Sequence, residues 1–289
     1  VYKRQELLKS HHNFNFVKGD IRNPNDLEAL FSNFAVDLVI HLAAIAGVRN
    51  SFLQPENYFD VNVIGTIRLL EAMRINDVKR IIFSSSSSVY VEQNGILSEE
   101  DRTDVQLSPY AISKKTAEAL MHNYHKVYDF SMISLRLFSV YGRRQRPDLV
   151  IHRYFDAIFH NHPIEVYGDG KSARDFTHID DVVDGFFNSV QLLSKTNSSV
   201  FEIINIGSNR PVAINALVEE IVSLLDAQKT AIVRKSGPMG EMRITNASLE
   251  KANRLLGYSP KVTLKQGLSS FRDWYFLNHK VNSSEKYGA

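Results

Sequence analysis

The sequence predicts an α/β protein, a doubly wound parallel sheet followed by a smaller α/β lobe. Short apolar runs alternate with longer amphipathic segments from residue 14 to about residue 140, which is the pattern of repeated βαβ units. The short runs are continuously apolar, as at Val39-Ile40 and Ile81-Ile82-Phe83, which indicates strands buried on both faces. Three amphipathic segments open with a proline, which a helix tolerates in its first turn.

The predicted elements follow one another in alternating order. Strands are predicted at residues 15–18, 37–42, 80–85 and 132–138, and helices at residues 24–34, 55–75 and 109–128. After Tyr141, glycines and prolines interrupt shorter elements. Helices are predicted there at residues 216–225, 248–256 and 264–277, and Gly257 is placed to end the second of these.

The composition excludes several classes of protein. A chain of 289 residues with 44% apolar residues can bury a large core, so a folded globular protein is expected. The net charge of +2 and the lack of long runs of like charge argue against nucleic acid or an anionic membrane as the main partner. The longest apolar run, residues 36–46, is shorter than the roughly 20 residues that a membrane-spanning helix needs.

The absence of cysteine excludes disulfides, thiolate metal sites and a cysteine nucleophile. It is compatible with a reducing compartment, and we expect a cytoplasmic location. His11-His12 and the His160/His162 pair lack the companion ligands of a known metal site, so we interpret them as solvated surface and expect no metal.

Tyr110 and Lys114 are four residues apart at the start of a predicted helix, so both side chains lie on one face. An ammonium group beside a phenol favours the phenolate, which can then act as a general base. The spacing alone fits an ordinary surface pair better. The context favours chemistry, because a serine cluster, residues 84–88, follows the strand just upstream, and parallel sheets bind ligands at the carboxyl ends of their strands.

Six segments, in order, resemble the extended short-chain dehydrogenase/reductase family, and the resemblance covers residues 15–275. They are GDIR at 19–22, HLAA at 41–44, NVIGT at 62–66, YAISK at 110–114, RLFSVYG at 136–142 and RDFTHIDDV at 174–182. The resemblance implies a Rossmann-like NAD-binding domain in residues 1–142 and a mainly substrate-binding lobe in residues 143–289. A segment at about 174–210 is expected to return to the first domain.

The resemblance also implies the roles of individual residues. Ser86, Tyr110 and Lys114 would be catalytic, with Tyr110 as the base and Lys114 lowering its pKa. Arg174 and Arg243 would approach the sugar nucleotide. Cofactor contacts would come from Asp20, Ile21, Leu42, Ala43, Ala44, Asn62, Ser84, Tyr110 and Lys114.

Two further features indicate which member of the family the chain resembles. Family members that are dehydratases have aspartate and glutamate after the catalytic hydroxyl, whereas this chain has Ser87 and Ser88, so epimerisation is favoured. The segment beginning at Arg146, RPDL, is similar to the RPDM segment of UDP-glucuronate 4-epimerases. There an arginine and the serines hold the sugar carboxylate, which implies the same for Arg146, Ser87 and Ser88. The alternative is that Arg146 belongs to a solvated basic turn with Arg143 and Arg144.

The chain also departs from the family pattern. No GxxGxxG segment occurs, and the chain begins at Val1 without methionine, so we expect a piece of a longer protein that by itself binds neither NAD nor substrate. The last residue of TNAS, Ser248, stands where the family usually has aspartate.

The predicted function is NAD-dependent epimerisation of a UDP-sugar at C4, with UDP-glucuronate as the expected substrate and a homodimer as the expected assembly. The alternatives are a UDP-glucose 4-epimerase, another NAD-dependent sugar epimerase or dehydratase, and a non-catalytic homologue.

Overall fold

The structure is a computed structural model, and it describes residues 2–91, 95–237 and 242–279. The strands are β1 (Val39–His41), β2 (Arg80–Ser86), β3 (Ser131–Leu137), β4 (Ser139–Tyr141), β5 (Ile164–Tyr167), β6 (Ala173–His178), β7 (Phe201–Ile206), β8 (Pro211–Ala213) and β9 (Ile232–Lys235). The α-helices are α1 (Tyr2–Leu8), α2 (Pro24–Asn33), α3 (Val48–Ser51), α4 (Pro55–Phe59), α5 (Gly65–Ile75), α6 (Pro109–Tyr128), α7 (Val150–Phe159), α8 (Ile179–Lys195), α9 (Ile214–Leu224), α10 (Glu250–Leu256) and α11 (Leu264–Asn278). Among these described residues, no helix combines the length and the apolar character that crossing a bilayer requires.

The main sheet is parallel and has the strand order β1-β2-β3-β7. Its longest pairing joins β2 to β3, from Arg80 opposite Ser131 to Ser86 opposite Leu137. The second sheet has the order β4-β6-β8, and β5 pairs with β9. The α/β class with a parallel sheet, predicted from the sequence, is confirmed.

Helices cover both faces of the main sheet. Ile81 belongs to a buried cluster with residues of α2, α5 and α6, whereas its neighbour Ile82 belongs to a cluster with residues of α8 and α10. Each fully buried side chain of this size contributes about 1.5–3 kcal/mol to folding. A third cluster joins α7, α9 and α11 in the C-terminal lobe around Phe155, Leu217 and Phe271.

Two predicted elements were wrong. Residues 15–18 form no strand, and Phe16 and Val17 are each 45% exposed. A strand requires a pairing partner, and no described strand pairs with this segment. The predicted helix at 55–75 is not continuous, because a π-helical turn, Asp60–Ile64, separates α4 from α5. Such turns occur often at functional sites.

The fold brings the carboxyl ends of β1, β2 and β3 to one edge of the sheet, and α6 begins beside that edge. Ser108 caps α6, since its Oγ accepts a hydrogen bond from the Ala111 backbone N–H at 3.2 Å, and Pro109 follows as the first helical residue. This start places Tyr110 in the first turn of α6 and Lys114 one turn later on the same face.

Candidate active site

The serine cluster lies at the carboxyl end of β2. The strand ends at Ser86, and a 3₁₀ turn, Ser87–Val89, follows it. The Oγ of Ser86 accepts hydrogen bonds from the Ser88 backbone N–H at 3.2 Å and from the Ser88 hydroxyl at 2.9 Å. Ser86, Ser87 and Ser88 are half-buried, so their hydroxyls are positioned by the turn and remain partly accessible.

Tyr110 is half-buried and faces Ser86. Burial raises the pKa of its phenol, while the nearby Ser86 hydroxyl and the positive charge of Arg146 act in the opposite direction. The Tyr110 ring also lies edge-on to Tyr58, with the ring centres 6.2 Å apart. The structure therefore brings together three of the predicted site residues, Ser86, Tyr110 and Arg146.

Lys114 is buried, and its Nζ donates a hydrogen bond of 2.8 Å to the backbone carbonyl of Ser84. The same ammonium lies 4.8 Å from the centre of the Phe83 ring, a cation–π contact. Burial lowers the pKa of Lys114 to about 8, and the negative charge of Glu118 opposes that shift. The expected lowering of the Tyr110 pKa by Lys114 stays a prediction.

Asn62 lies in the π-helical turn and is buried behind the site. Its Oδ1 accepts a hydrogen bond of 2.7 Å from the Ile45 N–H, and its Nδ2 donates to the Ile45 carbonyl at 3.0 Å and to the Ser113 hydroxyl at 2.9 Å. The amide thus ties the loop after β1 to the helix that carries Tyr110. This is a positioning contact, and a direct contact of Asn62 with NAD stays a prediction.

Of the other predicted cofactor residues, Leu42, Ala43 and Ala44 follow β1, and Asp20 and Ile21 precede α2. Leu42 is 60% exposed directly after β1, Ala43 is exposed and Ala44 is half-buried. Asp20 is exposed and is bound by Arg22, whose hydrogen bonds lower the pKa of this carboxyl to about 2. Ile21 packs so closely on Gly65 that a Cβ at Gly65 would lie 2.7 Å from the Ile21 Cδ1.

Arg146 lies in the loop after β4. Its Nε and Nη2 donate to the two carboxylate oxygens of Asp148, at 3.0 and 2.7 Å, and its Nη1 donates to the Ala46 carbonyl at 3.2 Å. The guanidinium therefore bridges its own loop to the loop after β1. Its charge acts on both Tyr110 and Tyr58, and its role in binding a substrate carboxylate stays a prediction.

Arg174 and Arg243 lie next to each other at the second sheet. The Arg174 Nη1 donates to the Arg243 carbonyl at 3.2 Å, and the Ala173 N–H donates to the same carbonyl at 3.0 Å. The predicted pair of substrate arginines is thus adjacent in the structure.

Sequence reasoning gave no role to the buried carboxylates of Glu118 and Asp175. Glu118 forms an ion pair with Arg136 at 2.9 Å in which both side chains are almost fully buried. Asp175 accepts hydrogen bonds from the N–H groups of Ser208, Asn209 and Ala247 at 2.6–3.0 Å. The available signal was the position of each acid, Glu118 one helical turn after Lys114 and Asp175 inside the RDF segment.

The donors of the site fit a dinucleotide at its ribose and nicotinamide half. The Lys114 ammonium has three donors, of which the Ser84 carbonyl takes one, and ribose hydroxyls need such donors. The exposed side chain of Leu42 offers an apolar surface at the same edge. No group of three or more His, Asp or Glu residues suited to a metal occurs within residues 2–91, 95–237 and 242–279.

Comparison with known proteins identifies the family. Residues 2–207 match the model of the NAD dependent epimerase/dehydratase family. A UDP-glucuronate 4-epimerase of Thermodesulfobacterium geofontis is 38% identical over 99% of this chain and 86% of the relative. An uncharacterised protein of Methanocaldococcus jannaschii is 38% identical over 96% of this chain and 83% of the relative.

Solved structures agree with the sequence relatives. The crystal structure of UDP-glucuronic acid 4-epimerase from Bacillus cereus, in complex with UDP-glucuronic acid and NAD, superposes with a TM-score of 0.88 at 34% identity. The match covers 96% of this chain and 86% of that one. The resemblance to extended short-chain dehydrogenases/reductases is confirmed, and the chain belongs to the NAD dependent epimerase/dehydratase family.

Proposed function

We propose that the chain is a UDP-glucuronate 4-epimerase, which oxidises C4 of the sugar, turns the keto sugar and reduces it on the other face. The observation that carries the proposal is the position of Tyr110, one turn before Lys114, which is bonded to Ser84 near the end of β2, so that its phenol lies near Ser86 and under the charge of Arg146. A hydroxyl beside a phenol suits the transfer of a proton, and a guanidinium beside both suits a substrate with a carboxylate.

In this mechanism Tyr110 removes the proton of the 4-hydroxyl as a phenolate, and Ser86 holds the same oxygen by a hydrogen bond. The chemistry that NAD supplies when bound is the reversible acceptance of a hydride, here from C4. Tyr110 returns its proton to the sugar oxygen when the keto group is reduced, so the phenolate is regenerated and the chain ends each cycle unchanged.

The predicted cofactor residues would hold NAD. Lys114 and Tyr110 would bind the nicotinamide ribose, and Asp20 and Ile21 would lie at the adenine end. The remaining contacts would come from Leu42, Ala43, Ala44, Asn62 and Ser84.

Arg146, Ser87 and Ser88 would bind the substrate carboxylate. The keto sugar formed from a uronate is a β-keto acid, which loses carbon dioxide readily. A guanidinium that holds the carboxylate by two parallel hydrogen bonds both recognises it and restrains it. Arg174 and Arg243 would bind the diphosphate of the UDP group, because guanidinium groups suit phosphate oxygens.

The test is proton NMR of UDP-glucuronate incubated with the protein as its gene encodes it, including any segment before Val1. Appearance of UDP-galacturonate is the expected result. If UDP-glucose is converted while UDP-glucuronate stays unchanged, the substrate assignment is wrong. If NAD is bound but neither sugar changes, the protein is not a 4-epimerase of these substrates.

A matched pair of variants tests the role of Arg146. Arg146→Ala is expected to reduce kcat/KM for UDP-glucuronate about 100-fold or more, since a charge-assisted contact with the carboxylate contributes about 1.5–3 kcal/mol and its restraint is lost as well. Arg143→Ala is the control, because Arg143 lies in the same loop and contacts Asp180 at 3.6 Å. Equal losses in both variants would contradict the assignment.

We also propose a homodimer. Ile75 and Val127 are 72% and 58% exposed on α5 and α6, the helices through which dimers of the resembled family form. Light scattering after size-exclusion chromatography measures the mass, and a monomer at micromolar concentration would overturn this proposal.

A cytoplasmic location stays a prediction, and imaging of the tagged protein tests it.

A further inference from the structure

Glu118 continues the functional face of α6. Tyr110, Lys114 and Glu118 follow one another at intervals of four residues, so the three side chains lie above one another along the helix. Glu118 is 2% exposed, which is unusual for a carboxylate and requires strong compensation from its neighbours.

The neighbours of Glu118 supply that compensation. Its Oε1 accepts hydrogen bonds from the Ser85 hydroxyl at 2.7 Å and from the Arg136 Nε at 2.9 Å, and its Oε2 accepts one from the Arg136 Nη2 at 2.9 Å. Lys115 lies 3.4 Å from Oε2. Burial raises the pKa of Glu118, but the bonds and charge of Arg136 outweigh burial and keep it below the ordinary value. The Glu118 side chain is therefore ionised near neutral pH.

Glu118 and Lys114 bind consecutive residues of β2. Lys114 donates to the carbonyl of Ser84, and Glu118 accepts from the hydroxyl of Ser85. The next residue is Ser86, which faces Tyr110. These two bonds attach the end of β2 to α6 immediately before Ser86, whose position relative to Tyr110 matters for proton transfer in the proposed function.

The charge of Glu118 also acts on Lys114. Burial lowers the pKa of Lys114, and Glu118 is the negative group that opposes this effect. Two further groups face Lys114, the neutral ring of Phe83 and, from β1, His41, whose pKa burial lowers to about 3, so that it is neutral near pH 7. The remaining neighbour on the face of α6 is Tyr110.

We propose that Glu118 is a positioning residue that keeps Lys114 protonated and fixes Ser84 to Ser86 against helix α6. Its effect on the reaction rests on the proposed function, whereas its effect on Lys114 does not. An uncharged residue at position 118 would leave a buried lysine that loses its proton at lower pH, and so a weaker donor near neutral pH.

The test measures the titration of the Lys114 ammonium directly. The protein is labelled with ¹³C-lysine, and the Cε signal of Lys114 is assigned by its loss in Lys114→Arg. Two variants are compared with the wild type. Glu118→Gln keeps the shape of the side chain and an acceptor for the Ser85 hydroxyl. The double variant Glu118→Met/Arg136→Met replaces the buried ion pair by apolar side chains. Such replacements are often tolerated, whereas removal of one partner alone leaves a buried charge unpaired.

The expected result is that the Lys114 titration midpoint falls by about one pH unit in Glu118→Gln, as loss of a nearby opposite charge requires, and falls less in the double variant, which also loses the positive charge of Arg136. The double variant decides the matter if Glu118→Gln does not fold. An unchanged midpoint in the folded double variant would overturn the proposal and leave Glu118 only as a partner of Arg136 and Ser85.

The epimerase assay separates this proposal from the proposed function. If the midpoint falls and the wild type epimerises UDP-glucuronate, the decrease in kcat of both variants should exceed the increase in KM. The decrease in kcat should be largest at pH values above the Lys114 midpoint, at which Lys114 is neutral. If the midpoint falls but the wild type converts no sugar, the proposed function fails and the role of Glu118 stands.

Discussion

The guanidinium of Arg146 is held by the carboxylate of Asp148 through two parallel hydrogen bonds of 3.0 and 2.7 Å. This is the arrangement in which an arginine binds a substrate carboxylate. Both side chains are about half exposed, so the pair is weak and can be exchanged. In the proposed function Asp148 would occupy the position of the UDP-glucuronate carboxylate on Arg146, and the two carboxylates would compete for it.

We therefore predict that Asp148→Asn lowers KM for UDP-glucuronate and leaves KM for UDP-glucose unchanged. An exposed ion pair contributes about 0.2–1 kcal/mol, which corresponds to a decrease of up to about fivefold. Asp104→Asn is the matched control, since Asp104 is bound by Arg102 with the same spacing of two residues. Steady-state kinetics give the answer, and a higher KM in Asp148→Asn would mean that Asp148 positions Arg146 for the substrate.

Tyr110→Phe should reduce kcat by about 10²–10⁴-fold, because the variant lacks the base that removes the 4-hydroxyl proton. The control is Tyr58→Phe, which keeps the neighbouring ring and loses only a hydroxyl that donates to the Gly47 carbonyl at 2.9 Å. Comparable losses in the two variants would argue that packing, not proton transfer, explains the effect.

The pH dependence should follow the same base. Burial raises the pKa of Tyr110, and the active form is deprotonated, so kcat/KM should rise as pH rises. Arg146→Ala removes a positive charge that lowers the Tyr110 pKa, so the rising limb of kcat/KM should move to higher pH. UDP-glucose is the substrate for this measurement, because it has no carboxylate for Arg146 to bind. A limb that stays in place or moves to lower pH would show that Arg146 does not act on Tyr110.

Lys114→Met should make the protein inactive and more stable near neutral pH. Burial lowers the pKa of Lys114 from 10.5 to about 8, so below pH 8 the folded state bears the full cost of a buried ammonium. The unfolded state binds more protons between pH 8 and 10.5, so wild-type stability rises across this range and the advantage of the variant disappears. A gain of about 1–3 kcal/mol at pH 7 is expected.

Denaturant unfolding at pH 7 and pH 10 measures this difference in free energy. Lys115→Met is the control, because Lys115 follows Lys114 in the same turn of α6 and its side chain is 32% exposed. A destabilised Lys114→Met at pH 7 would show that the bond to the Ser84 carbonyl outweighs the cost of burial.

The parts of the fold that local pattern determines could be predicted from the sequence. The apolar run around Ile81 and the spacing of Tyr110 and Lys114 depend on neighbouring residues, and the structure has a strand and a helix there. Pairing depends on distant segments, so the apolar residues at 15–18 suggested a strand that has no partner among the described residues. The Glu118–Arg136 ion pair joins α6 to β3, and no rule of sequence spacing predicts a contact between such distant elements.

Packing of Tyr141 against α11 supports the strand end from which the Arg146 loop begins. Tyr141 is buried at the end of β4, and its ring contacts Phe176 and His178, so it cannot move aside. Gly267 of α11 lies against that ring. A Cβ at Gly267 would lie 2.6 Å from the Tyr141 Cζ and closer still to its hydroxyl oxygen, which is inside van der Waals contact.

Gly267→Ala should therefore destabilise the protein by about 1–3 kcal/mol, the usual cost of overpacking, although alanine favours helix more than glycine does. For a protein of this size each kcal/mol lowers Tm by about 2–4 °C. Lys265→Ala, exposed in the first turn of the same helix, is the control and should leave Tm nearly unchanged. A Tm for Gly267→Ala at or above that of the wild type would mean that α11 can shift away from Tyr141, and that the lobe is less tightly packed there than the buried ring indicates.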